Sequence, residues 1–150
     1  MQEAIALSVN GVMRGEGGPF GAIVVKDGQI VGRGNNKVTT TNDPTAHAEV
    51  VAIRDACMQL GTFQLSGCVV YTSCEPCPMC LGAIYWARPD RVYFACTKAD
   101  AAASGFDDQF IYDEIEKDFG DRKIPFLQVG QSAGLEAFRI WDSKTDRVDY

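Results

Sequence analysis

Apolar side chains at Ile5, Val9, Val12 and Met13 recur at helical spacing and predict a helix over 2–14, stopped by Gly15. Two apolar runs, 22–26 and 29–33, then flank Asp27-Gly28. Asp-Gly between such runs predicts a β-hairpin, because both turn residues must accept positive φ. Residues 35–45 are polar and read as a loop. Asp43-Pro44 offers an N-cap acceptor followed by a first-turn proline, and predicts a helix start. Ala46, Val50, Ile53, Cys57 and Leu60 supply that helix with an apolar stripe as far as Gly61. A short strand follows over 69–72, a helix over 76–87 closed by Arg88-Pro89, and a strand over 91–96. The pattern continues with a helix over 107–119, acidic near its start, a fifth strand over 124–129 and a helix over 135–141. The polar tail from Asp142 ends in Tyr150. An antiparallel hairpin followed by alternating strands and helices predicts one α/β domain, with a mixed sheet covered by helices on both faces.

The chain has 150 residues, 46% of them hydrophobic, enough for a core that stands without disulfides. Its 14 basic and 20 acidic side chains leave a net charge of −6, which disfavours a polynucleotide partner. No apolar run is long enough for a membrane span. The start, Met1-Gln2-Glu3, lacks the features of a signal peptide, so a cytoplasmic location is expected. In that reducing setting six cysteines point to metal or catalysis before disulfides.

Three of the cysteines lie in Cys74-Glu75-Pro76-Cys77-Pro78-Met79-Cys80, and the single histidine is His47. A ferredoxin-like run would need a further cysteine where Ile84 stands. A four-cysteine structural zinc site would need a second Cys-x-x-Cys pair, which Cys57, Cys68 and Cys96 do not form. A thioredoxin-like redox pair, Cys74 with Cys77, would leave His47 unused. A zinc ion held by His47, Cys77 and Cys80 uses the whole constellation. Cys77 and Cys80, three apart at a helix start, present both sulfurs to one side. Three protein ligands leave a fourth position for water, whose pKa zinc lowers to about 7. Glu49, two residues from His47, is placed to move a proton. His47-Ala48-Glu49 with Pro76-Cys77-Pro78-Met79-Cys80 matches the His-x-Glu … Pro-Cys-x-x-Cys signature of zinc deaminases, and the assignment rests on that match. Cys74 is read as a packed thiol beside the site, and Cys57, Cys68 and Cys96 as core residues. A zinc-structured binding module without catalysis is the alternative of a different class; it would have no need of Glu49.

The stretches 42–49 and 72–80 resemble the cytidine-deaminase-like superfamily. Gly17-Gly18-Pro19-Phe20-Gly21-Ala22, Leu81-Gly82-Ala83-Ile84-Tyr85-Trp86-Ala87, Gly105-Phe106-Asp107-Asp108 and the terminal Tyr150 are most similar to its bacterial guanine deaminase branch. The resemblance implies a three-layer α/β/α fold around a mixed five-stranded sheet. It also implies a homodimer whose C-terminal segments are exchanged and cover the partner's site. The implied cofactor is one Zn²⁺ per subunit, and the implied reaction converts guanine and water into xanthine and ammonia. Guanosine, cytosine, cytidine or another aminated heterocycle is the alternative substrate within the same chemistry. The expected partner is thus a small purine base, with no membrane and no nucleic acid. By resemblance Glu49 and Asp108 carry protons and Asn36 hydrogen-bonds the base. Phe20 and Trp86 are candidates to sandwich the ring, the backbone amides of Ala48 and Cys77 to meet an oxygen, and Tyr150 to close the pocket.

Overall fold

The structure, a computed structural model, describes all residues from Met1 to Tyr150. The chain divides into two compact units, Met1–Asp108 and Gln109–Tyr150. The first contains α1 (Gln2–Met13), β1 (Gly21–Lys26), β2 (Gln29–Asn35), α2 (Val38–Thr41), α3 (Ala48–Leu60), β3 (Cys68–Cys74), α4 (Pro78–Ala87), β4 (Arg91–Cys96) and α5 (Lys98–Ala103). The second contains α6 (Gln109–Ile115), a 3₁₀ turn at Phe119–Asp121 and α7 (Gln131–Ser143).

The hairpin forms as the pattern predicts, with φ of 50° at Asp27 and 76° at Gly28. The sheet order is β2-β1-β3-β4; β1 is antiparallel to both neighbours, and β3 and β4 are parallel. A parallel pair needs a crossover, which α4 supplies. The sheet is mixed as expected but has four strands. The predicted fifth strand over 124–129 does not form: residues 125–130 have no regular structure. A strand exists only in a ladder, and the second unit contains no strand to pair with it.

Helices cover both faces of the sheet because two glycines admit them. Consecutive strand residues point to opposite faces. A Cβ on Gly21 would lie 2.6 Å from the Ser8 nitrogen of α1. Gly34, paired with the next residue Ala22, faces the other way, where a Cβ would lie 2.6 Å from the Ala52 nitrogen of α3. These close approaches set α1 and α3 on opposite sides, and Ala87 of α4 joins the core on the α3 side.

The face α3 buries differs from the predicted stripe. Ala48, Ala52 and Ala56 are fully buried, whereas Ile53, Cys57 and Leu60 pack around the edge of the core. Helix and hairpin are too close for large side chains between them. The start of α3 also differs. Asp43 does not cap it; its Oδ1 accepts from the Thr45 amide at 2.8 Å and the Thr45 hydroxyl at 2.6 Å, an Asx turn, and His47 is the N-cap. Sequence reading also missed α5, whose Thr97 and Asp100 form a capping box, and the predicted helix over 107–119 shortens to α6. No helix is long and apolar enough to cross a membrane.

Gly34→Ala is expected to destabilise the protein by about 1–3 kcal/mol through overpacking. Denaturant titration checks this; a loss below about 0.5 kcal/mol, typical of a surface substitution, would contradict the close-packed seam.

Candidate active site

Two helix starts converge on one point. His47 is the N-cap of α3 and Cys77 the N-cap of α4, both with extended backbone, and Pro78 opens α4 without a wasted N–H. Cys80 lies one turn into α4. His47 Nδ1 stands 3.5 Å from Cys77 Sγ and 3.5 Å from Cys80 Sγ, and the three donor atoms lie within 4.8 Å of one another. Tetrahedral zinc with bonds of about 2.3 Å to sulfur and 2.0–2.1 Å to nitrogen requires N···S edges of about 3.5 Å. The donor set and its spacing therefore fit zinc. One of the two thiols is prepared for it. Cys77 is lowered to about 4, first by the hydrogen bond from Cys80 and also by His47, while Cys80, which donates that hydrogen bond, is raised. His47 is raised by its hydrogen bond to Cys77. Cys74 stands outside the cluster: its thiol contacts the Thr97 carbonyl at 3.5 Å, and burial pushes it up to about 11.

Glu49, in the first turn of α3, is only 5% exposed. Its Oε1 accepts from the Thr72 hydroxyl at 3.2 Å, and its Oε2 lies 3.4 Å from Cys80 Sγ. Burial raises its pKa above the usual carboxylate value, which makes it a stronger proton acceptor. Thr72 was not anticipated, because a threonine in a strand carries no sequence signal of such a role.

Both groups open into a cavity of about 330 Å³, whose lining includes Gly18, Phe20, Asn36, Thr39, His47, Glu49, Glu75, Cys77, Lys98, Phe106 and Asp108. This volume suits a small ligand. Asn36 is buried, and its Oδ1 accepts from the amides of Gly18 and Val38, each at 3.2 Å. Its acceptor is thus engaged. Phe20 packs edge-on against Phe106, ring centroids 5.0 Å apart. Asp108 also lines the cavity; burial, and then the Cys77 charge, raise its pKa.

The structure thus brings His47, Cys77, Cys80, Glu49, Asn36, Phe20 and Asp108 together. It does not bring Trp86, which is 65% exposed on α4 and outside the lining; Phe106 occupies the aromatic position beside Phe20. The Ala48 side chain is buried and no part of the lining, though its position opens α3. Tyr150 belongs to the second unit and is exposed. Sequence reasoning did not single out Phe106, Glu75, Lys98 or Thr39 as lining residues. Phe106 was legible only within the Gly-Phe-Asp-Asp stretch.

A cavity lined by an imidazole, a thiol and a buried carboxylate, with the Cys80 thiol completing the donor set behind them, has the groups of a metal-dependent hydrolytic site. Residues 1–96 match the cytidine and deoxycytidylate deaminase zinc-binding region, and the chain belongs to that zinc-dependent deaminase family. Over its full length it is 56% identical to guanine deaminase of Bacillus subtilis, covering 96% of that protein. The crystal structure of the Bacillus subtilis guanine deaminase superposes with a TM-score of 0.97 over 99% of this chain and 95% of that one. Guanine deaminase from Nitrosomonas europaea is 30% identical, with a TM-score of 0.68 over 91% of this chain and 69% of that one. The tRNA-specific adenosine deaminase of Bacillus subtilis matches less of the chain, 39% identical over 70% of it and 65% of the relative.

Cys77→Ser is expected to lower bound zinc below one per chain, whereas Cys74→Ser leaves it at one. Metal analysis after dialysis checks both; loss of zinc from Cys74→Ser would make Cys74 a ligand.

Proposed function

We propose that this chain is a zinc-dependent deaminase that hydrolyses guanine to xanthine and ammonia. One observation carries the reading: Glu49, buried and made basic, stands beside a three-ligand cluster at the floor of a small cavity. The end-to-end identity with a guanine deaminase supports the choice of base.

Bound zinc supplies a Lewis acid that makes water nucleophilic near neutral pH. Glu49 takes the proton of the attacking water at Oε2, the oxygen on the Cys80 side, while Thr72 holds Oε1. The water oxygen bonds to C2 of the ring, and Glu49 delivers the proton to the neighbouring ring nitrogen. Asp108 carries the proton that remains on the added oxygen to the exocyclic amine, so that the oxygen becomes the C2 carbonyl of xanthine. The C2–N bond then breaks and ammonia leaves. Asn36 donates from Nδ2 to an acceptor on the purine edge. Phe20 and Phe106 hold the ring plane, the place first given to Trp86. The backbone N–H groups of Ala48 and Cys77, at helix starts that lack intrahelical acceptors, are donors for an oxygen.

In this reading the protein works as a cytoplasmic homodimer, each subunit a single deaminase domain of 1–150 whose C-terminal segment is exchanged. Tyr150 covers the partner's cavity. A net charge of −6 argues against a tRNA substrate. A non-catalytic zinc module would gain nothing from a carboxylate buried as Glu49 is.

The test is ammonia release by the zinc-loaded protein offered guanine, guanosine, cytosine, cytidine, adenine and a tRNA. Guanine is expected to be turned over, and Glu49→Gln to lose about 10²–10⁴-fold in rate while keeping one zinc. Full activity in Glu49→Gln, or turnover of guanosine or cytidine but not guanine, would overturn the assignment.

A further inference from the structure

The wall of the cavity that carries Phe106 and Asp108 hangs from α5, yet α5 buries none of its six residues. Burial therefore does not fix its position. The segment holds together internally: Thr97 caps α5, Ala101 O accepts from Phe106 N at 3.0 Å, and Ala102 O accepts from Gly105 N at 2.9 Å, with Gly105 left-handed at φ 89°. It is one internally bonded piece, held by the end of β4, by the contact of Phe106 with Phe20 and by a tie to the metal-binding turn.

Glu75 makes that tie. Its amide donates to Cys96 O at 2.8 Å, as a continuing strand would. Its Oε2 accepts from the amide of Lys98, the first residue of α5, at 3.0 Å. Two residues further on stands Cys77. One side chain thus bridges the turn that carries the zinc thiolates and the helix that carries the opposite wall. We infer that Glu75 is a positioning residue, holding Phe106 and Asp108 in register with the metal centre through the Lys98 amide. The inference rests on the proposed function for its effect on turnover, and not for its effect on geometry.

The bond can be removed from either end. Glu75→Ala removes the acceptor. Lys98→Pro removes the donor at a first-turn position where proline is well tolerated, and Thr97 at ψ 167° suits a residue before proline. Lys98→Ala removes the side chain but keeps the N–H, and Glu75→Gln keeps an oxygen acceptor. Hydrogen exchange on the zinc-loaded full chain reads the result. In Glu75→Ala and Lys98→Pro, amides of 99–108 are expected to exchange about ten-fold faster, the size of one lost charge-assisted hydrogen bond. Amides of α4 and the zinc content should not change. Glu75→Gln and Lys98→Ala are expected to restore protection. With guanine, kcat should fall about 10–100-fold in the first two variants, as misplacement near 1 Å produces, and Glu75→Gln should recover most of it. Unchanged exchange over 99–108 in both Glu75→Ala and Lys98→Pro would overturn the inference, as would zinc loss with faster exchange in α4. Absence of guanine turnover in the unaltered protein would refute the proposed substrate instead, and the exchange readout would still decide the role of Glu75.

Discussion

The meeting of His47 with Cys77 and Cys80 at 3.5 Å is the constraint on which the rest of the structure depends. It requires the N-termini of two helices, α3 and α4, to arrive at one point from two different connections. The first arrives because α3 lies close on the hairpin, with alanines on the helix and glycine on the strand removing the side chains that would hold them apart. The second arrives because β3 runs beside β1 and delivers the Cys74–Cys80 turn at its end. The parallel crossover through α4 then places β4 and α5 next to the same turn.

The same convergence gives Glu49 its chemistry. A carboxylate in the first turn of a helix that packs this closely loses most of its contact with water, and burial is the largest influence on it. Thr72, from β3, supplies the hydroxyl that keeps one oxygen satisfied without supplying a charge. A buried acceptor with one oxygen engaged and the other beside the sulfur ligands suits proton transfer, and does not suit a structural salt bridge.

Much of this was legible in the residues. The hairpin was announced by Asp27-Gly28, the cluster that could hold zinc by the cysteine spacing and the lone histidine, and the nearness of Glu49 to it by its place beside that histidine. What was not legible has physical reasons. The α3 seam is built of alanines, which carry little hydrophobic signal, so the larger Ile53 and Leu60 drew the stripe to the wrong face. Asp43-Pro44 has the chemistry of a helix start, but the Thr45 hydroxyl and amide satisfy Asp43 in a turn. The apolar run over 124–129 has strand composition but no ladder within its own unit. Trp86 and Phe106 are both aromatic, and only the path of the chain around Gly105 decides which one reaches the cavity. The role of Glu75 depends on an amide 23 positions further along, a contact that spacing does not encode.

One imidazole and two thiols beside a buried carboxylate make a donor set that leaves a bound zinc one open position. X-ray absorption at the zinc edge of the loaded protein tests it most directly. A site of His47, Cys77 and Cys80 with one open position gives two sulfur scatterers at about 2.3 Å and two light scatterers at about 2.0–2.1 Å, one of them from imidazole. A shell of three or four sulfurs would contradict it, since Cys74 would then be a ligand and the fourth position closed.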